Sequence, residues 1–166
     1  MNAGLNLIKY TNLDFCFFKS LVCNEAVMKM NMGRSFTEDE ANEFFDYALN
    51  TSKKHGYAGL YKVYANENRI YIGTAILRLN QDKTSAEIEY MLLPEYWGYG
   101  YATKIAALLL ELAIHCKGIN KITAVTVPDN IASKRVLVKN GFVFEKKYQV
   151  EETGSWAELF SKKLEV

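Results

Sequence analysis

The sequence predicts a single α/β domain, of the α+β kind, with one mixed and mostly antiparallel sheet. A strand pattern from Ala86 to Leu92 gives way to a helical pattern from Tyr101 onward, across a short loop with two glycines. Two further strand patterns, Tyr57 to Tyr64 and Ile70 to Leu79, precede this junction and form an antiparallel meander with it. The 166 residues, 49% of them apolar, suit one domain, residues 1–166, with a complete core.

The amino-terminal part is predicted to begin with a strand and short helices. Leu5 to Tyr10 has the length of a short edge strand. Thr11-Asn12 is expected to cap a helix from Leu13 to about Cys23, because short polar side chains accept hydrogen bonds from the first turn of a helix. Asn24 to Met32 is a candidate for a second short helix.

A capping box marks the start of the next helix. Thr37 and Glu40 have the required spacing, and the apolar residues that follow extend the helical pattern to about residue 52. Asn66-Glu67-Asn68 predicts the turn between the two strands of the meander. Gly73, inside the second of these strands, predicts a bulge or a close approach of another backbone segment.

The carboxyl-terminal part is predicted to contain three more strands and one helix. A strand from Lys121 to Val127 is followed by a helix that starts at Asn130 and ends at Asn140-Gly141. The expected apolar face of this helix consists of Ile131, Val136 and Val138. The last two strands are expected at Phe142 to Val150 and Trp156 to Leu164.

Composition argues against several classes of protein. A net charge of +1 gives no electrostatic reason to expect nucleic acid or an anionic membrane as a partner. The three cysteines, Cys16, Cys23 and Cys116, lack C-x-x-C spacing, which predicts neither a disulfide framework nor a zinc site and indicates the reducing cytoplasm. The longest apolar run, Ile105 to Ile114, contains Glu111 and is about half as long as a membrane span.

The junction after the Ala86–Leu92 strand is the main functional signal. Pro94 stops the strand, Gly98 and Gly100 follow in the loop, and the helix begins at Tyr101. The first N–H groups of a helix are free and carry the positive end of its dipole, and glycine allows a phosphate to approach them. The loop has neither the ATP-binding nor the dinucleotide-binding glycine pattern. It therefore predicts a site for the pyrophosphate of another ligand, with a simple tight turn as the alternative.

The loop resembles a known family. Residues 92–104, LLPEYWGYGYATK, are similar to the acetyl-CoA loop of the GNAT N-acetyltransferase superfamily, whose pattern is Q/R-x-x-G-x-G/A. Trp97 stands at the Q/R position, and Gly100 and Ala102 stand at the two small positions. The second match, Val127 to Phe142, resembles the asparagine–serine helix of the ribosomal-protein N-terminal acetyltransferase branch.

The resemblance implies a GNAT-like domain in which two adjacent parallel strands splay apart, with helices on both faces of the sheet. It implies acetyl-CoA as the cosubstrate and no metal. The residues implied to bind the cosubstrate include two on the strand, a run in the loop and the asparagine of the second motif: Met91, Leu92, Gly98, Tyr99, Gly100, Tyr101, Ala102, Thr103 and Asn130. Lys104, and Lys134 or Lys139, are candidates to contact a 3′-phosphate.

Acyl transfer to an amine requires a base for the amine, stabilisation of the oxyanion and a proton for the leaving thiolate. Many members of the resembled family use a tyrosine for the last task, but that position is Leu137 here. Ser133, which matches the serine of the ribosomal-protein branch, is the candidate thiolate partner, and a serine that bonds only to the helix backbone is the alternative. Glu87 and Glu89, on one face of their strand, are the candidate bases, although the branch usually has glycine at position 89.

The predicted function is direct transfer of an acetyl group from acetyl-CoA to a primary amine, by a monomer or homodimer. The α-amine of a protein or peptide is favoured, since its pKa near 8 needs less help from a base than an alkylamine near 10. A polyamine, amino sugar or amino acid is the alternative acceptor. Leu137 and Glu89 also leave open an acyl-CoA-binding module without transferase activity. An interaction domain with an empty glycine loop is a weaker third hypothesis.

Overall fold

Helices and strands follow one another in nearly the order that the sequence predicts. The computed structural model describes residues 4–53, 56–65 and 70–165. The strands are β1 (Leu5–Lys9), β2 (Gly59–Ala65), β3 (Ile70–Leu79), β4 (Ser85–Leu92), β5 (Lys121–Thr126), β6 (Val143–Gln149) and β7 (Trp156–Lys163). The helices are α1 (Phe15–Val22), α2 (Glu25–Lys29), α3 (Glu38–Ser52), α4 (Tyr101–Ile114) and α5 (Ile131–Lys139), with a 3₁₀ turn at Pro94–Tyr96. The predicted turn at 66–68 lies outside the described residues.

One mixed sheet contains all seven of these strands, in the order β1-β2-β3-β4-β5-β7-β6. Only β4 and β5 pair in parallel; the other neighbours are antiparallel. The β4–β5 ladder ends at the pair Glu87↔Thr123, whereas β4 continues to Leu92 and β5 to Thr126. The two central strands therefore separate beyond Glu87, as the resemblance implies, and leave a gap between them.

Helices cover both faces of the sheet, and β4 contributes side chains to both layers. Ile88 belongs to the core that includes Leu109 of α4 and Leu137 of α5. Met91 belongs to the core on the opposite face, which includes Phe18 of α1 and residues of α3. Because side chains alternate along a strand, even-numbered positions of β4 face α4 and α5, and odd-numbered positions face α1 and α3.

Gly73 produces both features predicted for it. The β2–β3 register shifts so that Val63 pairs with Gly73 and Tyr64 with Tyr71, which leaves Ile72 as the extra residue of a bulge. A Cβ atom at position 73 would collide with the backbone carbonyl oxygen of Met91. The absence of a side chain therefore allows β3 to lie against β4 where β4 borders the gap.

The predicted capping box is present, but the predicted cap of the first helix is wrong. Thr37 Oγ1 accepts from the Glu40 N–H at 3.2 Å, and the Thr37 N–H donates to the Glu40 carboxylate at 2.9 Å. In contrast, α1 starts at Phe15 with Asp14 as its N-cap. The Asp14 carboxylate accepts from both the backbone N–H and the hydroxyl of Thr11, so Thr11 stabilises the preceding turn and the helix starts later.

The predicted apolar face of α5 is wrong for two of its three residues, whereas the third, Val136, packs against the core. Ile131 and Val138 are 53% and 61% exposed, whereas Leu137 is 1% exposed and lies in the core with α4. Asn130 caps the helix, and Leu137 is its buried residue, on the face that packs against the core. Gly141, at φ +82°, ends the helix as expected. Within the described ranges, no helix has both the length and the apolarity needed to cross a bilayer.

Candidate active site

The loop between β4 and α4 has the geometry of an anion cradle. Gly98 and Gly100 have φ angles of +81° and +79°, a left-handed conformation that glycine adopts without strain. Gly100 is the N-cap of α4 and has no side chain to cover the N–H groups of Tyr101, Ala102 and Thr103. A Cβ atom at either glycine would meet no atom within 4 Å, so the space beside the loop is open. These groups fit a pyrophosphate.

Trp97 joins the loop to the end of the strand. Its indole Nε1–H donates to the Leu92 carbonyl oxygen at 2.9 Å, and the side chain remains 47% exposed. Leu92 is one of the residues expected to bind the cosubstrate, and its carbonyl oxygen therefore already has a partner within the chain. Beyond Glu87 the β4 backbone has no ladder with β5, so this edge of β4 borders the gap, whereas the Met91 carbonyl oxygen lies on the other edge, next to Gly73 of β3.

Asn130 and Ser133 lie at the start of α5, beside the carboxyl end of β5. Asn130 Oδ1 accepts from the Ser133 N–H at 3.0 Å and thereby caps the helix, and Asn130 Nδ2 donates to the Met30 carbonyl at 3.5 Å. The Asn130 side chain thus ties α5 to the end of α2. The Ser133 hydroxyl does not serve as the cap, because the Asn130 amide does. Its partner is a side chain of β4.

That partner is Tyr90, which is not among the site residues predicted from the sequence. Its hydroxyl lies 3.0 Å from Ser133 Oγ. Burial raises the pKa of Tyr90, and the hydrogen bond with Ser133 opposes this rise only in part. The phenol therefore keeps its proton at neutral pH. The available signal was the alternation of Ile88, Tyr90 and Leu92, which places a phenol on a core-facing position where its hydroxyl needs a partner.

The two candidate bases lie on the opposite face of β4 and share one cation. Arg78, in register with Glu87 on the adjacent strand, donates from Nη2 to Glu87 Oε1 at 2.9 Å. The same guanidinium nitrogen contacts Glu89 Oε1. All three side chains are between 24% and 34% exposed. Two carboxylates with one guanidinium leave an excess of one negative charge within this cluster of three side chains.

Tyr148 of β6 lies close to this group. Burial raises the pKa of Tyr148, and the negative charge of Glu87 raises it further. Its register partner Ala157 lies on the same face of the sheet as Glu87. The residues that sequence reasoning missed here, Arg78 and Tyr148, are separated from Glu87 by 9 and 61 positions along the chain. Only the strand register brings them together.

The lysines expected near a 3′-phosphate differ in their surroundings. Lys134 forms an ion pair with Glu158 at 2.7 Å, which occupies its ammonium group. Lys104 and Lys139 are exposed, on α4 and α5 respectively. In the described part of the chain, no group of three or more His, Cys, Asp and Glu side chains is arranged to hold a metal ion.

Two curated relatives match this chain in sequence. The uncharacterised N-acetyltransferase YoaA of Bacillus subtilis (strain 168) is 38% identical over 64 residues, which cover 39% of this chain and 36% of that protein. The FsC-acetyl coenzyme A-N(2)-transacetylase of Aspergillus fumigatus is 27% identical, over 92% of this chain and 69% of its own length. The matched segment thus spans little more than a third of the Bacillus relative.

Solved structures of acetyltransferases have the same fold. The acetyltransferase of Salmonella typhimurium that modifies the N-terminal serine of ribosomal protein L7/L12 has a TM-score of 0.81 at 16% identity, over 99% of this chain and 97% of its own. The spermidine N-acetyltransferase of Vibrio cholerae, in complex with CoA and spermine, has a TM-score of 0.79 at 19% identity, over 96% and 95%.

The family model agrees with the geometry of the gap and the glycine loop. The model of the acetyltransferase (GNAT) domain matches residues 5–143, which include the separated strands, the loop and the start of α5. This match covers most of the chain, and the chain therefore belongs to the GNAT acetyltransferase family.

Proposed function

We propose that this protein transfers the acetyl group of acetyl-CoA to a primary amine, by direct attack of the amine on the thioester. The observation that carries this proposal is the separation of β4 from β5 beyond Glu87, which opens a gap ending at the glycine loop before α4. The pantetheine arm lies along the free edge of β4, and the free N–H groups of the loop and the first turn of α4 bind the pyrophosphate.

In this proposal the two faces of β4 have different catalytic tasks. Glu87 and Glu89 lie on the α1–α3 face, where they attract the ammonium form of the acceptor and take up its proton, directly or through water. Ser133 lies on the other face and serves the leaving thiolate. The amine nitrogen attacks the acetyl carbon, the C–S bond breaks with its electron pair on sulfur, and the sulfur then takes a proton.

The acceptor that we propose is the α-amine of a protein or peptide. The acceptors named for proteins of this fold include a ribosomal-protein N-terminus and spermidine. The surface around Arg78 has an excess of one negative charge, which suits an acceptor with one ammonium group better than a polyamine with several. The reducing cytoplasm is the proposed compartment, and the free state of Cys16, Cys23 and Cys116 supports it.

The test is release of free CoA thiol from acetyl-CoA, measured with amines at equal concentration. The panel contains peptides with several N-terminal residues, spermidine, an aminoglycoside and free amino acids. We expect turnover with the peptides. Turnover with only spermidine or the aminoglycoside would contradict the α-amine proposal. Binding of acetyl-CoA without turnover on any amine would favour the second candidate, an acyl-CoA-binding module, for which Leu137 at the position of the usual tyrosine is the supporting observation.

A further inference from the structure

The leaving thiolate needs a stronger acid than Ser133 alone. An aliphatic hydroxyl holds its proton about as tightly as water does, and far more tightly than a thiol, whose pKa is about 8.5. Transfer of a proton from an isolated serine to a thiolate is therefore strongly unfavourable. A phenol is a far stronger acid than an aliphatic hydroxyl, since its ordinary pKa is about 10, and burial raises the pKa of Tyr90 above that value. The side chain next to Ser133 is a phenol.

Tyr90 and Ser133 face each other across the side of the gap that α5 covers. Tyr90 lies three residues past Glu87, the last residue of β4 that pairs with β5. Its side chain packs against the core that contains α4 and Leu137, and its hydroxyl reaches Ser133 on the first turn of α5. The Ser133 N–H is already held by Asn130, which fixes the position of the serine. Leu137, one turn further along the same face of α5, has no proton to give.

We infer that Tyr90 is the proton source for the leaving thiolate and acts through Ser133. This inference rests on the proposed acetyl transfer. As the C–S bond breaks, the sulfur takes the hydroxyl proton of Ser133, and Ser133 Oγ takes the phenolic proton of Tyr90. The Tyr90 phenolate then regains a proton from water. An ammonium acceptor loses two protons on the other face of β4, one before the attack and one after it, and the Tyr90 phenolate takes one proton from water. The reaction therefore releases one proton overall.

In this proton path Ser133 is the group that contacts the sulfur. Tyr90 acts through Ser133 and is therefore a positioning and proton-supplying residue. Burial keeps the phenol protonated, which a proton source requires before each turnover. The structural alternative is that the Tyr90 hydroxyl only satisfies its own hydrogen bond in a partly buried site.

The first experiment compares Tyr90→Phe, Ser133→Ala and the double variant by steady-state kinetics and by calorimetric titration with acetyl-CoA. Phenylalanine keeps the ring and its packing. We expect kcat to fall roughly 10²-fold in each single variant, the range of general acid catalysis, with the acetyl-CoA affinity nearly unchanged. Because the proton passes through both groups, the double variant loses about as much as one single variant. Tyr64→Phe, a partly buried phenol on β2, is the matched control with wild-type kcat.

The second experiment replaces Tyr90 with difluorotyrosine, whose phenol is more acidic and nearly the same size. The acid must be protonated, so kcat falls as pH rises through the pKa of the phenol. We expect this alkaline decrease at lower pH with difluorotyrosine than with tyrosine, and no such decrease in Tyr90→Phe. A purely structural hydroxyl would leave the pH profile unchanged.

The remaining outcomes distinguish a failure of the proton path from a failure of the proposed transfer reaction. Three results would overturn the inference but leave the proposed transferase activity in place. They are an unchanged kcat in Tyr90→Phe, an equal loss of kcat and acetyl-CoA affinity in that variant, and losses of kcat that multiply in the double variant. A wild-type protein that binds acetyl-CoA and acetylates no amine would overturn the proposed transfer reaction, and the proton path with it.

Discussion

The indole nitrogen of Trp97 lies 2.9 Å from the carbonyl oxygen of Leu92 and donates a hydrogen bond to it. This bond joins the last residue of β4 to the residue that precedes the first loop glycine. Trp97 stands where the family pattern has glutamine or arginine. The bond therefore gives the tryptophan a defined structural task, which is to hold the glycine loop against the strand end that borders the gap.

Trp97→Phe tests this task. The variant keeps an aromatic ring and removes the N–H donor, so the loop loses a hydrogen bond with a net value of about 1 kcal/mol. We expect the dissociation constant for acetyl-CoA to rise about fivefold in calorimetric titration, since 1.4 kcal/mol corresponds to a factor of ten. The control is Trp156→Phe, at a similarly exposed position on β7. Equal affinity of the two variants for acetyl-CoA would show that Trp97 does not hold the glycine loop in place for binding.

Gly100→Glu tests the anion cradle. The new carboxylate lies at the N-terminus of α4, where it takes the place of a phosphate and repels one, so we expect no measurable binding of acetyl-CoA. Gly33→Glu is the matched control. Gly33 has a φ of +80°, against +79° at Gly100, and a Cβ atom at either residue meets nothing within 4 Å. Both variants bear the same backbone strain of about 1–2 kcal/mol. Loss of affinity in both would indicate strain, and unchanged affinity in Gly100→Glu would contradict the assignment.

Local sequence patterns predict the elements around the site better than the contacts within it. The start of α4 at Tyr101 agrees with the sequence because an apolar run follows a glycine, and the bounds of β3, Ile70–Leu79, agree because turn residues flank the strand. Ile131 and Val138 were wrongly assigned to the apolar face of α5, because nine residues with apolar side chains on several sides do not define one direction. Ser133 was selected, but Tyr90 lies 43 positions away and only the fold brings it there.

Asp14 and Lys62 form a largely buried ion pair at 2.7 Å beneath α1, and the pair makes stability depend on pH. Burial alone would raise the pKa of Asp14, but the Lys62 ammonium and the Thr11 hydrogen bonds outweigh it and lower the pKa below its ordinary value. Asp14 therefore contributes its full stabilisation of the fold above the unfolded pKa of about 3.9. This stabilisation is lost as pH falls through the lower pKa that Asp14 has in the folded protein. We expect the free energy of unfolding in urea to decrease over that acid range.

Asp14→Asn removes this contribution and leaves the Lys62 ammonium without its anion. Breaking one side of a buried pair costs about 3–5 kcal/mol, and we expect a loss of about 3 kcal/mol at pH 7, since both side chains keep some exposure. The variant should also lose the part of the acid dependence that Asp14 supplies. Glu38→Gln, in the exposed pair with Lys19, is the control and should leave stability nearly unchanged. Equal stability of the Asp14 variant and the control would contradict this account.

Leu137 tests the corrected face of α5. Leu137→Ala opens a cavity in the core between α5 and α4, and we expect a loss of about 2–5 kcal/mol in the free energy of unfolding. Val138→Ala, one residue further on and 61% exposed, should change stability by less than about 0.5 kcal/mol. The comparison is made by urea denaturation at pH 7. If Val138→Ala lost more unfolding free energy than Leu137→Ala, the corrected face of α5 would be contradicted.

Arg78 provides the test of acceptor selection. Arg78→Gln removes the guanidinium that neutralises one of the two carboxylates, so Glu87 and Glu89 then present two negative charges in place of one excess charge. Paired carboxylates attract a polycation more strongly than a single ammonium group. We expect kcat/KM for spermidine to rise relative to that for an N-terminal peptide, and the change to shrink at high salt because exposed charges are screened. Arg135→Gln, an exposed arginine on α5, is the control for loss of a positive charge elsewhere. If the ratio of the two kcat/KM values is the same in both variants, the charge around Arg78 does not select the acceptor, and the preference for an α-amine needs another source.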